Sequence, residues 1–126
     1  MEFKGYKGYK FITPQGDARY AFECPCCDLP TISEPQAWEI CKVCHWEDDV
    51  SHEAGGANGL YSLSDARNNF KAHKHMYPSD DVMTTNSRRI ESLDKCIDLL
   101  HRFKTEEDFQ KRGVIFAKFL NHSEWL

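Results

Sequence analysis

Apolar positions recur at helical spacing in the C-terminal third of the chain. Between Ser87 and Phe103, the residues Ile90, Leu93, Ile97, Leu100 and Phe103 trace one stripe with Cys96 beside it, which predicts an amphipathic helix. Thr105-Glu106-Glu107-Asp108 is a fresh start signal, with acids where a helix dipole favours negative charge. A last helix is expected from Glu106 to about Asn121, carrying Phe109, Val114, Phe116, Phe119 and Leu120, with Gly113 as its weak point. A shorter helix is expected from Leu63 to His73. Ser62 is its N-cap, Asp65 the acidic residue three positions on, and Leu63, Ala66 and Phe70 its apolar face.

The N-terminal part reads differently. Tyr9 to Thr13 has strand character, Pro14-Gln15-Gly16-Asp17 carries turn residues, and Arg19 to Glu23 returns as a second strand. Residues 1–10 alternate lysine, glycine and aromatics, as an edge strand or a loosely fixed arm does. From Asp28 to Glu39, Pro30, Ser33, Glu34 and Pro35 favour a loop, and Ala37 to Ile40 read as a short strand. Pro78 breaks the chain, and residues 79–87 read as a linker or long loop.

Two Cys-x-x-Cys pairs sit where these patterns meet: Cys24-Pro25-Cys26-Cys27 and Cys41-Lys42-Val43-Cys44, separated by thirteen residues. Two residues between ligands let both sulfurs reach one ion, and two such turns supply the four thiolates of a closed tetrahedral zinc site. Cys24, Cys27, Cys41 and Cys44 are therefore the expected ligands of one structural Zn²⁺, and Trp38 is expected to cover the site. Redox dithiol chemistry is disfavoured because no βαβ pattern surrounds either pair. Cys41 to His45 formally matches a haem-attachment sequence, which leaves the first pair unexplained. His45 is an awkward substitute ligand beside Cys44. Cys26, lying between zinc thiolates, is expected to be suppressed as a nucleophile, and Cys96 to be core.

Composition narrows the picture. An apolar fraction of 40% with 8 Phe, 5 Tyr and 3 Trp can build a core. No apolar run is long enough to span a membrane. The N-terminus lacks an apolar export segment, which points to the cytoplasm, where thiols stay reduced. The formal charge is −4, and four thiolates with one Zn²⁺ bring it to about −6. That balance speaks against nonspecific phosphate-backbone binding and suits a basic partner.

The words Cys24-Pro25-Cys26-Cys27, Trp46-Glu47-Asp48-Asp49, Gly55-Gly56-Ala57-Asn58 and Ser62-Leu63-x-Asp65-Ala66-Arg67 stand in one order. Together they resemble the bacterial cysteine-rich CPCC domain family, over roughly Tyr20 to Phe70. Asp28 stands where the family has glycine after its first knuckle, Lys42 where it often has proline, and Asp65 where its helix usually has glutamate. Asp tolerates a left-handed backbone, so the knuckle survives. The resemblance implies small accessory proteins found near bacterial toxin systems.

These readings combine into an α+β protein: a zinc-ribbon or rubredoxin-like module with an N-terminal hairpin and a packed helix over residues 1–78, then a C-terminal helical hairpin over 79–126 packed on it. A closed metal site stabilises without catalysing, which leaves surfaces as the source of function. The expectation is a non-enzymatic protein-binding module, in its sharpest form an immunity-type inhibitor of a cognate toxin, with no small-molecule substrate. Candidate partner-binding acids are Glu47, Asp48 and Asp49, and Asp80 and Asp81. The bland reading of the first three is that they cap the segment after the second knuckle, contacting Arg67 or backbone. His73-Lys74-His75 is expected at a solvated helix end. Two alternatives stand beside this one. The first is a nucleic-acid-binding ribbon using Lys4, Lys7 and Lys10 with Tyr6 and Tyr9. The second is a thiol enzyme using Cys26 or His52.

Overall fold

A computed structural model of the chain describes residues 5–78 and 87–126. Among the described residues the architecture is α+β: two small antiparallel sheets, three α-helices and a short 3-10 helix (Ser123–Trp125), with four cysteines brought together. Strands β1 (Gly8–Ile12) and β2 (Ala18–Glu23) form the expected hairpin, with Tyr9 opposite Ala21 and Phe11 opposite Arg19. Turn residues Thr13 to Asp17 close it through the Thr13 N–H to Asp17 carbonyl bond at 2.8 Å. A third strand, β3 (Pro30–Ile32), joins β2 across a bulge at Phe22 and Glu23. The loop expected from Asp28 to Glu39 thus contains a strand. The first cysteine turn reverses the chain so tightly that it must run back beside β2, whatever its turn propensity. Strands β4 (Glu39–Ile40) and β5 (Glu47–Asp48) flank the second cysteine turn as a two-stranded ribbon.

Helix α1 (Leu63–His73) is capped as its sequence demands. The Ser62 hydroxyl accepts from the Asp65 N–H and the Asp65 carboxylate accepts from the Ser62 N–H, both at 3.1 Å. Lys74 ends it in the left-handed conformation. His75, expected at a solvated end, is fully buried, because the chain turns inward there and the Met76 N–H bonds the Cys44 carbonyl at 2.8 Å. Helix α2 (Ser87–Thr105) follows the predicted stripe, burying Leu93, Cys96, Leu100 and Phe103. Helix α3 (Phe109–His122) starts one turn later than expected. Glu106 binds the N–H groups of Glu107 and Asp108, and the shorter Asp108 side chain caps the Lys111 N–H at 2.9 Å.

The apolar half of the protein is α2 and α3 laid against the three-stranded sheet. Phe11 lies against Phe116 as a tilted pair with ring centroids 4.8 Å apart, and Phe103 meets Phe11 edge-on and Phe116 at a tilt. Gly113 lets α3 lie directly on the Ile12 carbonyl. Between sheet and α3 runs a cavity of about 480 Å³, lined largely by apolar groups such as Phe11, Ile32 and Phe116, with Arg19 and Lys42 also on its wall. The expected linker acids, Asp80 and Asp81, lie outside the described residues, as does Lys4.

Candidate metal centre

The two cysteine turns are built on one plan. In the first, the Cys24 N–H donates to the Leu29 carbonyl at 2.9 Å and the Asp28 N–H to the Cys24 carbonyl at 2.8 Å. In the second, the Cys41 N–H donates to the Trp46 carbonyl at 2.8 Å and the His45 N–H to the Cys41 carbonyl at 3.0 Å. The residue after each second cysteine, Asp28 or His45, takes a left-handed backbone at φ +62° or +70°. This is the conformation that closes a tight turn and that glycine adopts without cost. The result is a pair of knuckles facing each other, each offering two sulfurs.

The sulfurs meet. Cys24 Sγ lies 3.6 Å from Cys44 Sγ, and Cys27 Sγ 3.7 Å from Cys41 Sγ. All four lie within 4.8 Å of one another, and all four cysteines are buried. Four sulfurs at about 2.3 Å from a central ion stand about 3.8 Å apart, so both cross-knuckle separations fit a tetrahedral S₄ shell. They are far too long for disulfide bonds, and all six cysteines are free thiols.

Electrostatics explains why the cluster calls for a cation. Burial pushes the Cys24, Cys27 and Cys44 thiols above their ordinary range. Burial would raise Cys41 too, but the hydrogen bonds it receives from the other three cysteines and the Cys44 N–H hold it well below that range. Thr31 Oγ1 adds a contact to Cys41 Sγ at 2.9 Å. Four thiols packed this closely in a buried site cannot all ionise without a neighbouring positive charge, which a bound metal ion would supply. Cys24, Cys27, Cys41 and Cys44 could hold such an ion with no further ligand.

Cationic side chains from the helices close over the knuckles. From α1, Arg67 Nη1 donates to the Pro25 carbonyl, and its guanidinium pairs with the Asp28 carboxylate at 3.1 Å. Buried Arg89 of α2 donates to the Val43 carbonyl at 2.9 Å. Lys104 donates to the Asp28 carbonyl at 3.0 Å and pairs with Glu23 at 3.2 Å. His45 Nε2 stands 2.8 Å from the Leu126 carbonyl. Arg67 and His45 stood out in the sequence. Thr31, Arg89 and Lys104 carried no local signal, since what defines them is reach to a distant backbone oxygen or sulfur.

The other candidate residues fall differently. Trp38 is 61% exposed and does not cover the cluster; buried Trp46 packs there instead. Asp48 and Asp49 are buried, so they are not surface acids. Asp48 Oδ2 accepts the Gln36 N–H and Oδ1 the Tyr6 hydroxyl, each at 2.8 Å, while Asp49 accepts the Ser51 and Ala57 N–H groups. These contacts are to backbone and Tyr6. Arg67 goes to Asp28. Glu47 is half-buried, its own N–H bonded to Asn58 Oδ1. Cys26 is buried beside the cluster, and Cys96 lies in the core, its thiol pushed up to about 11 by burial. Tyr6 is bonded to Asp48, and Tyr9 is buried with its hydroxyl on Glu23 at 2.6 Å, so neither is an open stacking platform. Among the described residues no helix is long and apolar enough to cross a membrane.

Compared with known proteins, the sequence profile described as Cysteine-rich CPCC matches residues 22–91, more than half of the chain. No curated protein and no solved structure matches it.

Proposed function

The chain belongs to the cysteine-rich CPCC family, and from that membership we propose that it is a non-enzymatic protein-binding module stabilised by one Zn²⁺. The buried cluster of Cys24, Cys27, Cys41 and Cys44 carries this reading. Four buried cysteine sulfurs within 4.8 Å of one another suit zinc, and all four positions of a tetrahedral shell would be taken by protein. A zinc so enclosed has no site for water or substrate. It holds the two knuckles together, in the manner of a zinc ribbon, and leaves function to the outer surface.

The partner is a protein. Catalysis through Cys26 finds little support, since that thiol is buried beside four metal-ligating sulfurs. In the specific form we favour, the chain is a cytoplasmic immunity-type inhibitor that occupies a basic face of a bacterial toxin domain. What supports this form is the acidic balance of the chain, −4 before metal, and the company implied by the family resemblance. The test is isothermal titration of the zinc-loaded protein with the product of the adjoining gene, in low and high salt. A stoichiometric complex, lost when chelator removes the zinc, is the expected result. No complex with that protein, or steeply salt-dependent binding to DNA or RNA instead, would overturn the inhibitor reading.

A further inference from the structure

Trp38 is presented in a way that packing alone does not explain. It is 61% exposed, and Ile40, two residues on, is 56% exposed. Single exposed apolar side chains are ordinary. This one sits on an unusual backbone. Trp38 has φ +61°, a left-handed conformation that bulky side chains avoid, and Gln36 has the same value two residues earlier. Two such residues within three positions, neither of them glycine, mark a segment held against its local preference.

The holder is Asp48. Its buried carboxylate accepts the Gln36 N–H on one oxygen and the Tyr6 hydroxyl on the other, and its carbonyl accepts the Trp38 N–H, each at 2.8 Å. A buried carboxylate is costly to maintain, and here its two side-chain bonds brace the turn that displays the indole. Strained and rigidly supported backbone of this kind collects at recognition and switch sites. Tryptophan is also the side chain most enriched among residues that dominate binding energy.

Charge identifies what such a surface receives. Of the nine Asp and Glu residues from Tyr20 to Ala66, Asp48 and Asp49 are buried and Glu23 and Asp28 are paired with Lys104 and Arg67, which leaves Glu34, Glu39, Glu47, Glu53 and Asp65 against one cation of that stretch, Lys42. Glu34, Glu39 and Glu47 belong to the loop and ribbon that carry Trp38 and Ile40. An exposed indole on a segment that carries these carboxylates suits an Arg or Lys side chain stacked on its face, with an apolar neighbour of that cation against Ile40. Building on the protein-binding reading above, we propose that Trp38 and Ile40 form its docking surface and receive a basic, partly apolar segment of the partner. Asp48 is a positioning residue for this surface and does not touch the partner.

Trp38→Gly tests this in two independent ways. Glycine adopts the left-handed backbone freely, so the melting temperature of the zinc-loaded protein should hold or rise; a marked fall would make Trp38 a structural cover and overturn the proposal. For binding, the probe is a phage-displayed library of random peptides panned on the immobilised zinc-loaded chain. Enriched peptides should be rich in Arg or Lys beside apolar residues. Their synthetic forms should lose about tenfold or more in affinity for Trp38→Gly, as at a hot spot, and much less for Trp38→Phe, which keeps an aromatic face. Peptides that bind Trp38→Gly equally well would leave the protein-binding reading standing and sink this surface. Failure to enrich any peptide would count against both. Self-association of the parent chain that Trp38→Gly abolishes would also overturn the proposal, because the surface would then cover a second copy.

Discussion

Replacing Gly113 by alanine tests how the apolar half of the protein is assembled. By helix propensity alone the change should help, since alanine in a helix interior is favoured over glycine by about 1 kcal/mol. The packing opposes it. A Cβ at position 113 would stand 1.6 Å from the Ile12 carbonyl oxygen and 2.7 Å from its carbon. These are backbone atoms of β1 and cannot swing aside, so α3 must lift from the sheet by roughly 2 Å to reach ordinary contact. That shift pulls Phe116 off Phe11, now 4.8 Å away, and loosens its contact with Phe103. Overpacking against a fixed neighbour costs about 3 kcal/mol or more. After the propensity gain a net loss of about 2 kcal/mol remains, which lowers Tm by roughly 8 °C in a chain of this size. Urea and thermal unfolding of the zinc-loaded protein measure it. A neutral or stabilised Gly113→Ala would refute the seating of α3 on β1.

Three further outcomes rest on the same geometry. Burial raises the Cys96 thiol from an ordinary value near 9 to about 11. Its contribution to stability is therefore complete below the ordinary value and lost as pH rises through about 11; Cys96→Ala should flatten that alkaline decline while costing about 1–2 kcal/mol at neutral pH through the cavity it leaves, read by urea unfolding across pH. Arg67→Ala removes the bond to the Pro25 carbonyl and the half-exposed pair with Asp28. It should cost about 1 kcal/mol and speed zinc loss to a chromogenic chelator, with Lys restoring only part because it lacks the fork. Iodoacetamide should leave all six buried thiols of the zinc-loaded chain unmodified and label all of them once denaturant and chelator are added, as mass spectrometry counts directly.

What the sequence revealed was local, and what it concealed was long-range. The Ser62 and Asp65 capping box placed α1, and the apolar stripe placed α2, because each signal is completed within a few neighbours. The cysteine spacing brought out the four sulfurs for the same reason. Strand β3 was hidden because Pro30 and its neighbours favour a turn, and only the reversal at Cys24 to Cys27 brings them alongside β2. The acids after the second knuckle were legible as acids but not in their direction. That Asp48 turns inward depends on Tyr6, 42 residues away. Trp38 is exposed through the same contacts, since the backbone that turns it outward is fixed by Asp48 across the ribbon. Gly113, read as a weak point in a helix, is a packing requirement visible only once Ile12 lies beneath it.

The central claim is that Cys24, Cys27, Cys41 and Cys44 jointly hold one zinc ion. Native mass spectrometry of the chain purified without chelator tests it most directly. One zinc per chain is expected, with a Cys41→Ser variant that retains it poorly and unfolds at a lower temperature. A metal-free chain lighter by two or four protons would mean disulfides in place of the metal, and would contradict the claim at its root.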